Sequence, residues 1–225
     1  MCAADWERLV NRGNADEVRA HYARLAATYD RKANPACKRA YGELVETYLP
    51  NARRVLELGA GSGPLLGGHP GSLRVAYDLS APMLKHMVVT GHLRVAGDAR
   101  KLPFQNDCFD ACFSINLLEH VPDPGAVLCE AARVLTPGGV LLAVTPNGDR
   151  EWLLHWIERL HLKLPEGPHA FVTMEKMRSL TPPSLRVLEH RPLLTLPAGP
   201  RAFVRLMDRV LPNSGLFQFT VMQKT

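Results

Sequence analysis

Short apolar runs alternate with stretches of helical period along the middle of the chain. From Arg53 onward these runs are bounded by Gly, Pro or Asp, a pattern typical of a parallel sheet with helices on both faces. The predicted strands are Val55–Leu58, Leu73–Tyr77, Leu93–Ala96, Phe109–Ile115 and Val140–Val144, and the clearest connecting helices are Pro82–Val88 and Ala126–Leu135.

The segments before and after this region have different patterns of apolar and polar residues. Residues 1–50 have the periodicity of helices, the second of which runs from Cys37 to Leu49 before Pro50 stops it. After Pro146, residues 152–164 combine an apolar helical face with basic side chains. Apolar segments at 185–188 and 216–221, with an amphipathic stretch between them, predict two late strands and a helix.

Together these elements predict a doubly wound α/β fold with a seven-stranded, mostly parallel sheet, a Rossmann-like arrangement. A length of 225 residues suits one domain of this kind. The predicted parts are an N-terminal helical cap (1–50), a cofactor-binding core (51–147), a lid or acceptor segment after strand five (148–184), and C-terminal strands with a helix (185–225).

The composition of the chain restricts its expected location, partners and metal sites. The N-terminus mixes charges without an apolar stretch, and no window of the chain has the length of apolar sequence that a membrane span needs, so we expect a soluble, cytoplasmic protein. The net charge is +5, but Lys and Arg are spread along the chain, which argues against nucleic acid as partner. The five cysteines form no C-x-x-C pair, which argues against a zinc site.

The strongest chemical signal follows the first predicted strand. Val55–Leu58 runs into Gly59-Ala60-Gly61-Ser62-Gly63, and Asp78 lies at the end of the second strand. Glycines let the backbone turn tightly against a ligand, and a carboxylate at that strand end can accept hydrogen bonds from ribose hydroxyls. The pair predicts a nucleoside site.

Two nucleoside cofactors compete for this site. A dinucleotide fold expects G-x-G-x-x-G, with a helix N-terminus facing a pyrophosphate, whereas this chain has G-x-G-x-G preceded by Glu57. An acidic residue there repels a pyrophosphate but suits an ammonium and a sulfonium. S-adenosylmethionine carries both, and a nicotinamide-dependent oxidoreductase stays as the alternative.

Five ordered blocks resemble the class I S-adenosylmethionine-dependent methyltransferases, in particular the small-molecule branch that includes ubiquinone and menaquinone biosynthesis enzymes. The blocks begin at Glu57, Asp78, Gly97, Phe109 and Leu135 and span about 90 residues. The resemblance implies the methyltransferase fold, S-adenosylmethionine as cofactor and a small-molecule acceptor.

The same resemblance implies roles for individual residues. Main-chain groups of the glycine turn would contact the methionine moiety, Asp78 would hold the ribose, and Asp98 would accept from the adenine amino group. Asn116 would offer its main-chain oxygen near the methionine amine. The implied cofactor-binding set is Tyr22, Tyr29, Glu57, Gly59, Ala60, Gly61, Gly63, Asp78, Leu79, Met83, Asp98, Ala99 and Asn116.

The chain departs from these relatives in two places. The helix after Gly63 is interrupted at once by Gly67-Gly68-His69-Pro70-Gly71 and must be short. Some quinone-pathway relatives bind a divalent metal through E-x-x-E-H, whereas this chain has Asn116 at the first position. Two ligands hold a hard cation poorly, so no metal is expected.

Methyl transfer needs a positioned acceptor and, for a hydroxyl, a base. His120, after strand four, and His169, in the predicted lid, are the candidates; each can instead bond a loop carbonyl. The predicted helix at 152–164 is interpreted as a lid over an apolar or aromatic acceptor, with O-methylation favoured; a peripheral membrane or lipid contact is the alternative. A catalytically silent cofactor-binding protein also stays open.

Overall fold

A computed structural model describes residues 15–27, 34–63, 65–70, 72–87, 90–152, 170–193, 202, 206, 209–211 and 214–225. Its helices are α1 (Ala15–Leu25), α2 (Pro35–Tyr48), α3 (Ala81–Lys85), α4 (Pro124–Val134) and α5 (Met174–Leu180). Its strands are β1 (Arg54–Leu58), β2 (Leu73–Asp78), β3 (Leu93–Ala96), β4 (Phe109–Ile115), β5 (Leu135–Pro146), β6 (Leu185–Leu193) and β7 (Phe217–Lys224).

The seven strands form one sheet in the order β3-β2-β1-β4-β5-β7-β6. Strands β1 to β5 pair in parallel, and β7 pairs antiparallel with both β5 and β6. The order reverses between β1 and β4, which opens a crevice at the carboxyl ends of those strands. The predicted seven-stranded, mostly parallel α/β sheet is confirmed.

Both faces of the sheet are covered, as the continuous apolar strands predicted. Val55 packs into a core with α2 and the aromatic residues of β7, whereas the next residue, Leu56, packs into the opposite core with α4. Central strands buried on both sides read as apolar runs for this reason.

Local signals explain the helix boundaries. Asn34, Asp123 and Thr173 each accept a hydrogen bond from a backbone N–H in the first turn of α2, α4 and α5. The predicted helix 126–135 begins two residues earlier, and it ends at Val134 because Leu135 is extended (ψ 143°) and opens β5. Between β1 and β2 the predicted short helix is a single 3₁₀ turn, Leu66–Gly68.

Within the residues that the structure describes, no helix is long and apolar enough to span a bilayer. The predicted helix at 152–164 falls outside them except for Trp152, whose side chain is exposed.

Candidate active site

The loop after β1 turns on three glycines. Gly59, Gly61 and Gly63 have φ of +69°, +54° and +68°, a region in which side chains are strained. A Cβ on Gly59 would lie 3.0 Å from Leu117 Cβ, and one on Gly63 would collide with Met87. Positive φ therefore favours glycine at all three positions, and at Gly59 the space beside Leu117 is tight as well.

Asp78 ties this loop to the end of β2. Its Oδ2 accepts from the Gly61 N–H at 2.8 Å and its Oδ1 from the Ser80 N–H at 2.7 Å. Burial raises the pKa of Asp78, and the two N–H groups oppose that rise. Each carboxylate oxygen has two acceptor positions, so both oxygens retain capacity for a ligand hydroxyl.

Glu57 lies beneath the same loop. Its side chain is buried, and its Oε2 accepts from the Leu66 N–H at 3.2 Å. Burial raises the pKa of Glu57 to about 8, the charge of Asp78 adds to the rise, and the Leu66 N–H opposes it. A cation placed here would draw the proton from Glu57 because it favours the charged form.

We expect Glu57→Gln to stabilise the cofactor-free protein at high pH. The folded pKa of Glu57, about 8, exceeds its ordinary value of 4.5, so the stability due to the protonated acid is present below pH 4.5 and lost as the pH rises through 8. Urea unfolding should give the variant an advantage that grows by roughly 3–5 kcal/mol between pH 5 and pH 8.5. A difference independent of pH would contradict the buried, protonated acid.

The expected adenine side is built from α3 and the loop after β3. Met83 is 2% exposed and lies close to Gly61, with its Cε 3.2 Å from where a Cβ on that glycine would stand. Ala99 is buried and Leu79 is half-buried. These side chains offer an apolar surface beside the glycine loop.

Asp98 has a partner that the sequence interpretation missed. The Arg100 guanidinium donates to both carboxylate oxygens, at 3.1 Å to Oδ1 and 2.6 Å to Oδ2, and lowers the pKa of Asp98. The Arg100 N–H also donates to Oδ1 at 2.9 Å. The contact of the Arg100 N–H is typical of an aspartate in a turn, whereas the guanidinium contact has no such local signal.

Asn116, directly after β4, has a left-handed conformation. Its φ is +52°, its N–H donates to the Val144 carbonyl at 2.8 Å, and its Nδ2 lies 3.5 Å from the Tyr41 hydroxyl. Positive φ is uncommon outside glycine and clusters at functional sites. The residue thus joins β4, β5 and α2 at the carboxyl edge of the sheet.

A chain of polar side chains crosses the loop after β4. The Tyr22 hydroxyl, on α1, lies 3.0 Å from His120 Nε2. His120 Nε2 lies 4.0 Å from Glu119 Oε1, and Glu119 Oε2 accepts from Thr145 Oγ1 at 2.9 Å. Glu119 and His120 are both buried. The structure thus brings Tyr22 to His120, a contact between residues 98 positions apart that the sequence did not predict.

Two predicted site residues, Tyr29 and His169, lie outside the described residues. In the described ranges, no cluster of three or more His, Cys, Asp or Glu side chains is arranged to hold a metal.

Comparisons with known proteins find similarity to methyltransferases. A methyltransferase domain family matches residues 56–143, the stretch that holds the glycine loop, Asp78, Asp98 and His120. Demethylmenaquinone methyltransferase of Mycolicibacterium paratuberculosis is 34% identical over 131 residues, 53% of this chain and 57% of the relative. Ubiquinone biosynthesis O-methyltransferase of Dechloromonas aromatica is 30% identical over 165 residues, 63% of this chain and 70% of the relative.

Solved structures agree at the level of the fold. The structure of an S-adenosylmethionine-dependent methyltransferase from Thermotoga maritima superimposes with a TM-score of 0.70 at 21% identity, over 92% of this chain and all of the other. The chain spans little more than half the length of the mycobacterial relative.

Proposed function

We propose that this chain, which belongs to the S-adenosylmethionine-dependent methyltransferase family, transfers a methyl group from that cofactor to the oxygen of a small apolar or aromatic acceptor. The observation that carries the proposal is the Asp78 carboxylate at the end of β2, bonded at 2.8 Å to the Gly61 N–H. The contact supports the proposal because it brings a carboxylate that can accept from ribose hydroxyls next to the glycine turn, at the crevice of the sheet.

The residues around the loop fit the cofactor. Asp78 keeps acceptor positions for two ribose hydroxyls, and Met83 supplies an apolar surface for a flat base. Glu57 is a buried acid beneath the turn, suited to the ammonium and sulfonium charges.

When bound, the cofactor supplies a methyl group on a positively charged sulfur, which an oxygen nucleophile displaces in line. The protein's own task is to hold the acceptor, exclude water and remove its proton. We assign the role of base to His120, because this residue lies in the loop after β4, on the same edge of the sheet as Asp78. Segment 148–184 is proposed to cover the acceptor.

The acceptor class rests on the relatives. One is named as a methyltransferase of demethylmenaquinone and another as an O-methyltransferase of ubiquinone biosynthesis. Aromatic rings with hydroxyl groups and apolar substituents are therefore the first acceptors to test. This assignment is a proposal for the present chain, since it spans only part of those relatives.

We expect S-adenosylhomocysteine to raise the melting temperature in proportion to its excess over Kd, because a ligand that binds only the folded state stabilises it by mass action. At 100 times Kd the stabilisation should be about 2.7 kcal/mol. Differential scanning fluorimetry with S-adenosylhomocysteine and NADH in parallel measures it. A shift with NADH alone would assign the site to a nicotinamide cofactor.

A further inference from the structure

The contact between Tyr22 and His120 has a consequence for the path of the acceptor proton. The neutral imidazole Nε2 offers a single hydrogen-bonding position, either one lone pair or one N–H. In this structure that position is directed at the Tyr22 hydroxyl, 3.0 Å away. An acceptor hydroxyl cannot bond the same nitrogen while Tyr22 does.

The burial of His120 also argues against direct contact between this residue and the acceptor. The His120 side chain is only 4% exposed, so little of its ring is open to a substrate. Tyr22 lies on α1 and is half-buried, and its hydroxyl contacts His120. Tyr22 is therefore the more exposed member of the pair.

A carboxyl group lies near the same nitrogen that Tyr22 contacts. The Glu119 carboxyl lies 4.0 Å from Nε2 and is itself fixed by the Thr145 hydroxyl at 2.9 Å. A carboxylate at this distance stabilises an imidazolium.

His21 packs edge-on against the Tyr22 ring. Burial, then the charge of Arg24 and then that of His120 lower the pKa of His21, which favours the neutral form of His21.

We propose that Tyr22 is a catalytic residue that carries the acceptor proton to His120. The inference rests on the proposed function, methyl transfer to a hydroxyl. The acceptor O–H bond breaks and its proton moves to the Tyr22 oxygen, while the Tyr22 proton moves to His120 Nε2. The acceptor oxygen keeps the electron pair and uses it for the new bond to the methyl carbon, whose former bonding pair stays on sulfur. Glu119 is a positioning residue.

The test compares Tyr22→Phe with the parent on two kinds of phenol. Phenol and 2-naphthol hold their proton at pH 7.5, whereas 4-nitrophenol is largely ionised and needs no base. We expect kcat on the first two to fall by roughly 10²–10⁴-fold, the range for loss of general-base catalysis, and kcat on 4-nitrophenol to change by less than about threefold. Tyr48→Phe is the matched control, because its hydroxyl bonds Glu189 far from the site.

Two measurements without turnover separate proton transfer from a structural role. The first is the affinity for S-adenosylhomocysteine, which Tyr22→Phe would lower if Tyr22 binds the cofactor, as the resemblance implies, but would not lower if its role is proton transfer. The second is the phenolate absorbance of 4-nitrophenol bound to the complex of protein with S-adenosylhomocysteine. At a pH below the free phenol's midpoint, the ratio of ionised to neutral bound phenol should fall about tenfold in Tyr22→Phe and stay at the parental value in Tyr48→Phe.

The outcomes that overturn the proposal are distinct. Equal losses of kcat on all three phenols, a loss of cofactor affinity or an unchanged phenolate ratio would make Tyr22 a structural residue or a cover of the cofactor. If the parent binds S-adenosylhomocysteine but methylates none of the phenols, the proposed acceptor class is wrong and the inference fails with it.

Discussion

Asp78→Ala is expected to weaken S-adenosylhomocysteine binding by roughly 10²–10⁴-fold, because two charge-assisted hydrogen bonds of about 1.5–3 kcal/mol each are lost. The structure adds a second cost. The Gly61 and Ser80 N–H groups both lose their acceptor, so the glycine loop itself is released. We expect the variant to lose roughly 2–4 kcal/mol of unfolding free energy as well.

Asp110→Ala is the matched control for this variant. Asp110 also accepts from two backbone N–H groups, those of Arg53 and Arg54 at 3.1 and 2.9 Å, but at the opposite, amino-terminal edge of the sheet. Both variants should lose stability, and only Asp78→Ala should lose affinity in calorimetry at a temperature where each is folded. Equal affinities would remove the ribose role from Asp78.

His120→Ala is expected to lower turnover on a weakly acidic hydroxyl acceptor by roughly 10²–10⁴-fold, as loss of a general base does. A hydroxyl is a poor nucleophile until its proton leaves, and the sulfonium can attract the resulting anion but cannot accept the proton. Cofactor affinity should stay near the parental value. Steady-state rates from pH 6 to pH 9, with calorimetry on the same preparation, measure both.

The control for His120→Ala is a buried histidine elsewhere. His69 bonds the Leu49 carbonyl at 2.7 Å between α2 and β1, so His69→Ala should reduce stability while turnover per folded molecule is kept. If His120→Ala keeps near-parental turnover across this pH range and His169→Ala does not, the base is His169. If both keep it, catalysis is positional.

Most of the fold could be predicted because each strand corresponds to a short, local pattern in the sequence. The predicted β3 and β4 have the bounds that the structure gives, and β1 and β2 differ by one residue. Each run is short, apolar and bounded by turn residues. Strand β7 itself was predicted, but its position between β5 and β6 was not. That position is set by long-range packing, for example of Phe217 and Phe219 against α2.

The site divides in the same way. The glycine turn and Asp78 lie at the ends of two consecutive, paired strands, β1 and β2, so their separation along the chain predicts that they are close in space. The contact of Tyr22 with His120 joins α1 to a loop 98 positions away, and no local pattern encodes such a pairing. The engagement of Asp98 by Arg100 depends on the rotamer of a long side chain, which composition and periodicity do not specify.

The interior position of β7 also matters while the chain is being made. Strand β5 ends at Pro146, yet the strand that covers its open edge ends at Lys224. At ribosomal speeds of about 5–20 residues per second, the intervening ~80 residues take about 4–16 s to appear. Throughout that interval the apolar edge of β5 lacks its antiparallel neighbour and is open to pairing with other nascent chains. The edge is covered only once synthesis has passed Lys224 and β7 has paired with β5.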